Sequence, residues 1–319
     1  GGQSNTVYGN YSYVSGGTGH VISSSYGYIG GGDSNYIEGE FSYIGGGYYN
    51  DAIGIYTTVT GGAHNNALAE YSVTGGGHYN TCGGAYCIIQ GSTSSYNYAK
   101  YGVISGGHNH HVYGYAGTVT GGMYNSAYGS YSTTLTGLYN HNTATFGTIG
   151  GGYVNYVVAY GGVVTGGVSN TAKGSLSTVT GGHANINTGE GATIRGGQYN
   201  TVTGYAGMIG GGWYNRNFAK GGVVGGGLNN WAYGYISVVA GGYLNSAVGS
   251  RSVVGGGTYN RAMSEASVNG GGHYNFVYGY AATILGGMVN RVKASYGTVG
   301  GGYANTVHST AIYGTITGG

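Results

Sequence analysis

A fifteen-residue frame laid from Gly1 fits this 319-residue chain through twenty-one consecutive copies, with no insertion or deletion before the last. An unstructured chain has no reason to count residues, whereas in a solenoid each added residue would displace every later side chain from its stack. The copy from Gly166 to Thr180, GGVSNTAKGSLSTVT, displays the unit. Positions one and two are Gly-Gly everywhere except at Thr136 and Ser92, and these pairs take forty of the 77 glycines. Glycine reaches positive φ without a Cβ clash, so each pair marks a sharp corner where neighbouring turns approach closely.

Position five is Asn in eighteen copies: Asn5, Asn35, Asn50, Asn65, Asn80, Asn125, Asn140, Asn155, Asn170, Asn185, Asn200, Asn215, Asn230, Asn245, Asn260, Asn275, Asn290 and Asn305, with His20, Ser95 and His110 in the other three. Stacked Asn side chains bond to one another and to turn backbone, so the column reads as a structural amide ladder. Position fourteen is Val or Ile in seventeen copies: Val14, Ile29, Ile44, Val59, Ile89, Ile104, Val119, Ile149, Val164, Val179, Ile194, Ile209, Val224, Val239, Val254, Ile284 and Val299. This is the expected core column. Position twelve is almost always Gly, Ser, Ala, Thr or Cys, position seven is mostly Val, Ile, Ala or Cys, and position nine is Gly, Ala or Ser. Alternation at five and seven, then at twelve and fourteen, predicts two short strands per turn around a thin interior. The expected fold is therefore all-β, a parallel β-solenoid (β-roll or β-helix) of 15-residue rungs with about 21 coils and two short strands per coil.

High Gly and Tyr, no Pro and only 5% charged residues are also what a low-complexity segment has, but such a segment shows bias without phase, and here the β-branched column keeps its phase throughout. At a strand spacing of about 4.8 Å the coils would stack into a rod roughly 100 Å long, so residues 1–319 are expected to form one continuous solenoid domain. The chain opens and closes on Gly-Gly in register and carries no capping sequence, which reads as a segment of a longer repeat array or filament. No apolar run of eighteen residues is present, so no membrane span is expected. The net charge is +2, yet all nine basic residues lie at or beyond Lys100, while Asp33, Glu38, Glu40, Asp51 and Glu70 are five of the seven acids. That polarity suits head-to-tail contact between copies, and no basic cluster points to nucleic acid.

Aromatic residues fill position eleven through the first third of the chain, as Tyr11, Tyr26, Phe41, Tyr56, Tyr71, Tyr86 and Tyr101. By parity, positions eleven, thirteen and fifteen face outward, yet position thirteen is never charged. A freely solvated face would tolerate Lys or Glu, so lateral self-association is expected to cover this stripe, with a trimer as the expected homo-oligomer. Past Lys100 the stripe gives way to Ala116, Gly161, Leu176, Gly191 and Arg251, and Asn97, Asn142, Asn187 and Asn217 interrupt the apolar column at position seven. These buried amides are expected to bond locally. In the last copy the pattern resumes only if two residues near Ser309 to Ala311 are extra, which reads as a bulge or a change of frame.

Acids are too scattered to pair for acid–base work, and Gly-rich stretches such as Gly75 to Gly77 recur as corners with no P-loop lysine. No enzyme activity, cofactor or metal is expected. Cys82 and Cys87 occupy positions seven and twelve of one rung, both inward, and either bridge as a disulfide or remain two buried thiols. His78 near them, and the tract from His108 to His111, are weak metal candidates, because His110 and His111 point to opposite faces of a strand.

The units GGQSNTVYGNYSYVS, GGMYNSAYGSYSTTL and GGYLNSAVGSRSVVG resemble the head repeats of trimeric autotransporter adhesins and the Gly-Gly-x-x-Asn β-roll arrays of phage-type tail fibres. The resemblance covers the whole chain. It implies a left-handed parallel β-roll, three chains side by side, and a surface fibre that sticks to a host, a matrix or other cells. The repeat here is longer than in those adhesin heads and has two small corner residues instead of one. The expected function is a non-enzymatic structural or adhesive fibre, extracellular or on a virion or cell surface, presenting rows of Tyr, Thr and Asn to carbohydrate or cell surfaces. The alternative is an ice-binding (antifreeze) β-solenoid, drawn from Thr58-Val59-Thr60, Thr118-Val119-Thr120 and Thr178-Val179-Thr180, which recur only every sixty residues.

Overall fold

The structure is a computed structural model describing residues 1–319, a helix-free parallel β-solenoid of about 21 turns with about 15 residues per turn. Two units, Gly1–Gly161 and Gly162–Gly319, are described each by itself. In both, a rung carries one two-residue strand at positions six and seven and another at thirteen and fourteen. Pairing advances by one rung: Thr58 and Val59 lie beside Val73 and Thr74 in the first unit, and Val238 and Val239 beside Val253 and Val254 in the second. A third line runs at position three, as single bridges through Asp33, Tyr48 and Ala63 for example and as two-residue strands at Gly2–Gln3, Gly17–Thr18, Gly77–His78, Ser92–Thr93 and Gly107–His108. The flanking Gly-Gly pair hides that line from any alternation of apolar and polar residues. In the last rung Thr306–Val307 still pairs with Arg291–Val292, but Thr315–Ile316 pairs with Thr298–Val299, so the two extra residues lie between Val307 and Thr315.

Positions five, seven, twelve and fourteen turn inward. The valines and isoleucines of position fourteen from Ile29 to Val299 are fully buried, and Val14 in the first rung is partly so. Across the interior, positions seven and twelve fit each other by size. Asn97, Asn142 and Asn217 face Gly102, Gly147 and Gly222, where an added Cβ would come within 2.2, 2.3 and 2.7 Å of the amide oxygen. Ala52, Ala127 and Ala247 leave room for Thr57, Ser132 and Ser252. Cys82 and Cys87 occupy this same pair of positions and are joined as a disulfide, with Cα atoms 5.9 Å apart. The interrupting amides bond within the core: Asn217 Nδ2 donates to the Gly222 carbonyl at 2.6 Å, and its Oδ1 accepts from Ala219 N–H at 3.0 Å.

The corners follow from the backbone hydrogen bonds. Asp51 and Ile53 N–H donate forward to the next rung, to Asn65 and Ala67 carbonyls, each at 2.9 Å. Tyr49 and Tyr56 N–H donate backward, to Asp33 at 3.1 Å and Glu40 at 2.9 Å. Those two residues are left-handed, with φ of 49° and 57°. Each left-handed residue turns its peptide over, so that the chain bends while every amide still reaches a neighbouring rung. All 38 non-glycine residues at positive φ lie at positions four and eleven, counting Tyr313 after the two-residue shift. The aromatic stripe of position eleven therefore sits on a corner and is not part of a strand.

Position five clamps the rungs together. Asn245 Nδ2 donates to Gly241 O in its own rung and Gly257 O in the next, both at 2.8 Å, and its Oδ1 accepts from Asn260 N–H at 2.9 Å. The ladder thus runs mainly from side chain to backbone; direct amide pairs such as Asn80 Nδ2 to Asn65 Oδ1 at 3.1 Å are occasional. Glycine at position two makes room for it. At Gly242, with φ of 91°, an added Cβ would lie 2.2 Å from Gly257 O and 2.5 Å from Asn245 Nδ2. Position one is not so restricted: a Cβ at Gly166 or Gly181 meets nothing within 4 Å, and Thr136 stands at that position.

Asn245→Ala leaves one buried N–H and two part-buried carbonyls without their partner, so a loss of about 2 to 4 kcal/mol in unfolding free energy is expected by denaturant titration, with hydrogen-exchange protection at Asn260 N–H lost first. Ile236, β-branched and exposed, is held at φ 52° in a column that already accepts Gly161, Gly191 and Gly221. Ile236→Gly is expected to raise the unfolding free energy by about 1 kcal/mol in the same titration.

Candidate functional site

With the polar groups at positions five and seven largely engaged inside, chemistry available to a partner lies on the outward columns. In the first unit the seven rings from Tyr11 to Tyr101 stack face to face, with successive centroids 5.1, 4.7, 4.9, 5.0, 4.8 and 5.1 Å apart. A parallel strand spacing and an aromatic stacking distance nearly coincide, so one ring per rung builds an unbroken ladder. All seven rings are exposed. Tyr13, Tyr28 and Tyr43 stack beside them on position thirteen at 5.8 and 5.3 Å. A second ring row on position four escapes a reading of the sequence centred on position eleven. It includes Tyr49, His64 and Tyr79, with centroids 5.5 and 4.7 Å apart, and in the second unit the pairs Tyr199–Tyr214 and Tyr259–Tyr274. Tyr or His at residues 49, 64 and 79 was the available signal.

Where a small residue interrupts a column, a notch opens. Ser126 stands between His111 and His141 on position six, its Oγ 2.6 Å from His141 Nδ1. The groove there, about 250 Å³, is walled by Tyr124, Tyr128 and Tyr139. Burial lowers the pKa of both His111 and His141, so the groove presents neutral imidazoles at neutral pH. His108, His110 and His111 diverge: His110 is fully buried at position five, whereas His108 and His111 lie on outward positions. No group of three or more His, Cys, Asp or Glu side chains converges as a metal site would require.

The three departures from Asn at position five keep the arm of the clamp that accepts from the N–H of the next rung. In rung seven, Ser92 replaces glycine at position two and Ser95 replaces Asn, and their hydroxyls bond to each other. A Cβ at position two would otherwise collide with an Asn amide, so the two changes belong together. Ser95 Oγ still accepts from His110 N–H at 3.1 Å. His20 and His110 use Nδ1 as Asn uses Oδ1, accepting from Asn35 and Asn125 N–H, each at 3.2 Å. The Nε2 of His20 lies toward the Gly16 and Gly32 carbonyls without full hydrogen-bond geometry to either. Accepting at Nδ1 fixes the neutral Nε2–H tautomer, and protonation would set one N–H against another.

Charge divides between the units. Gly1–Gly161 holds five of the seven acids and one basic residue, Lys100; Gly162–Gly319 holds the other eight basic residues with Glu190 and Glu265. Arg251 forms an ion pair with Glu265. Comparison with protein-family models finds no match for the chain, and comparison with curated proteins finds none either.

Desolvation in the interior lowers the pKa of His20 and His110 from the ordinary 6.5, opposed at His20 by the Asp33 charge. Below pH 6.5 the unfolded chain therefore binds more protons than the folded one. Their contribution to stability is complete above pH 6.5 and falls as pH drops toward the lowered folded values. The double variant His20→Asn with His110→Asn is expected to lose less stability between pH 7.5 and pH 5 than the parent, measured by thermal melts. His111 and His141 are common to both chains, so the difference isolates the two ladder histidines.

Proposed function

We propose that the chain is a non-enzymatic structural and adhesive fibre segment, working outside a cell or on a virion or cell surface, that associates laterally with copies of itself. The observation that carries this reading is the exposed seven-ring ladder from Tyr11 to Tyr101, widened by Tyr13, Tyr28 and Tyr43. A continuous apolar surface of this kind marks an interaction site. It repeats at the rung spacing, so an identical surface on another copy meets it in register along its length. Many weak, equivalent contacts then sum to stable association, and the remaining rows of Tyr, Thr and Asn suit multivalent contact with carbohydrate. The interior supports a structural role as well, since its amides join one rung to the next.

A specific feature favours the ice-binding alternative in two places: Thr118, Thr133 and Thr148 sit in register on three adjacent rungs, and so do Thr283, Thr298 and Thr315. Neither row is long: Val103 precedes and Val163 follows the first, and Val268 precedes the second. Ice recognition calls for a wide, flat, regular array, which the exposed tyrosines of this chain interrupt.

Native mass spectrometry or sedimentation at micromolar concentration is expected to give a trimer of the 32.2 kDa chain. Introducing charge into the ladder, by Tyr26→Glu, Tyr56→Glu and Tyr86→Glu together, is expected to return the monomer with its circular dichroism unchanged. A parent chain that is monomeric under these conditions overturns the reading. Thermal hysteresis in the parent would instead support ice binding.

A further inference from the structure

On the second unit we infer a binding site for a linear acidic polysaccharide, one carrying a carboxylate on alternate sugars, laid along the column of position six. The inference deepens the glycan-contact part of the proposed function and rests on position six of the rung instead of position eleven, so the two fail independently. Its basis is a column that linear sequence conceals. Arg216, Arg261 and Arg291 are separated by whole multiples of the frame, and strand pairing sets Arg216, Trp231, Ser246, Arg261, Phe276 and Arg291 one above another in that order. All three arginines are exposed, as is Lys293 two residues beyond the last.

No carboxylate stands on positions four, six or eight of this unit. Of its two acids, Glu265 is paired with Arg251 and Glu190 belongs to a rung before Arg216. The positive charge of the column is thus uncompensated on its own face. Between the cations lie rings held in place: Trp231 Nε1 donates to Asn229 Oδ1 at 3.1 Å, and the Arg261 guanidinium lies 5.8 Å from the centre of the Phe276 ring. Ser246, the smallest side chain of the column, is buried between Trp231 and Arg261.

The spacing selects the ligand. Arg261 and Arg291 are two rungs apart, about 10 Å, with Phe276 between them, whereas Arg216 lies three rungs before Arg261, about 14 Å and out of that two-rung step. A nucleic acid carries a charge on every residue and needs a denser line of cations. A polysaccharide with a charge on every second sugar offers carboxylates at wide intervals and apolar sugar faces between them, and a pyranose ring in an extended chain is about as long as one rung. With one sugar per rung, the Arg261 and Arg291 guanidinium groups take carboxylates two sugars apart as charge-assisted pairs and Phe276 takes the neutral ring between them, while Trp231 lies against the ring of a charged sugar further along and Arg216 falls opposite an uncharged one and adds only longer-range attraction.

The test is calorimetric titration of the full chain with a hyaluronan octasaccharide, a neutral cello-oligosaccharide and a thymidine oligonucleotide of matching length. The octasaccharide is expected to bind in a salt-dependent manner and better than the other two. Arg261→Thr with Arg291→Thr is expected to weaken it at least ~10-fold and to lower the salt dependence. Trp231→Thr with Phe276→Thr is expected to weaken it with the salt dependence unchanged. Thr201 and Thr306 already occupy this column, so both variants keep the fold, which circular dichroism verifies. The inference is overturned by an octasaccharide that does not bind, by equal binding of the neutral glycan, by tighter binding of the oligonucleotide, or by arginine variants with parental affinity.

Discussion

The bond between an asparagine amide and the backbone of the adjoining rung is what the rest of the molecule depends on. Strands only two residues long have little ladder of their own, and an interior one side chain thick buries few apolar atoms per rung. What fixes one turn on the next is a buried side chain that satisfies a carbonyl of its own rung and a carbonyl and an amide of the next. Buried polar groups are costly when unpaired and specific when fully paired, so this column sets register as well as contributing stability. Glycine at position two follows from it, because the amide occupies the place a Cβ would take. Rung seven shows the dependence directly: Ser92 at position two coincides with Ser95 at position five.

A second constraint acts at the corners. Reversing the hydrogen-bond direction twice per rung requires two left-handed residues, and the chain puts Tyr, Ala, Ser, Leu and even Val154 and Ile236 there. Each carries a local cost of roughly 1 kcal/mol or more that the neighbouring rungs offset by holding the peptide on both sides. The consequence reaches the surface. A left-handed corner points its side chain away from the core, and stacking sets that side chain directly above its counterpart in the next rung. Rings at positions four and eleven therefore form ladders because the backbone bends there.

The parts of this architecture set by spacing were legible from residues alone. Val179 and Asn170 announce their columns because a solenoid cannot hold phase unless its turns are equal, and the double glycine marks a close approach. The left-handed corners were not legible, because residue preference argues against Ile236 or Val289 at positive φ and only the hydrogen-bond pattern of the stack demands it. The match between positions seven and twelve lay in the sequence, with Asn97 opposite Gly102 and Ala127 opposite Ser132, but it needs the knowledge that these two positions face each other. On the surface, the Tyr11 to Tyr101 stripe was visible as seven aromatics in one column. The arginine column was missed because Arg216, Arg261 and Arg291 form no local cluster, and a search for runs of charge sees three isolated residues.

That last point generalises within this chain. Once the turn length is fixed, any two residues a multiple of fifteen apart share a face, and the surface becomes a grid that substitutions fill one square at a time. A change on position six or eight leaves the asparagine column and the seven–twelve fit untouched, so outward columns are free to differ while the frame stays constant. The two units show this freedom: the same rung carries stacked tyrosines at its position-eleven corner in one and arginines between rings at position six in the other. Recognition on such a surface is set by period as much as by residue type, because a ligand gains from each added rung only if its own repeat keeps step with the strands.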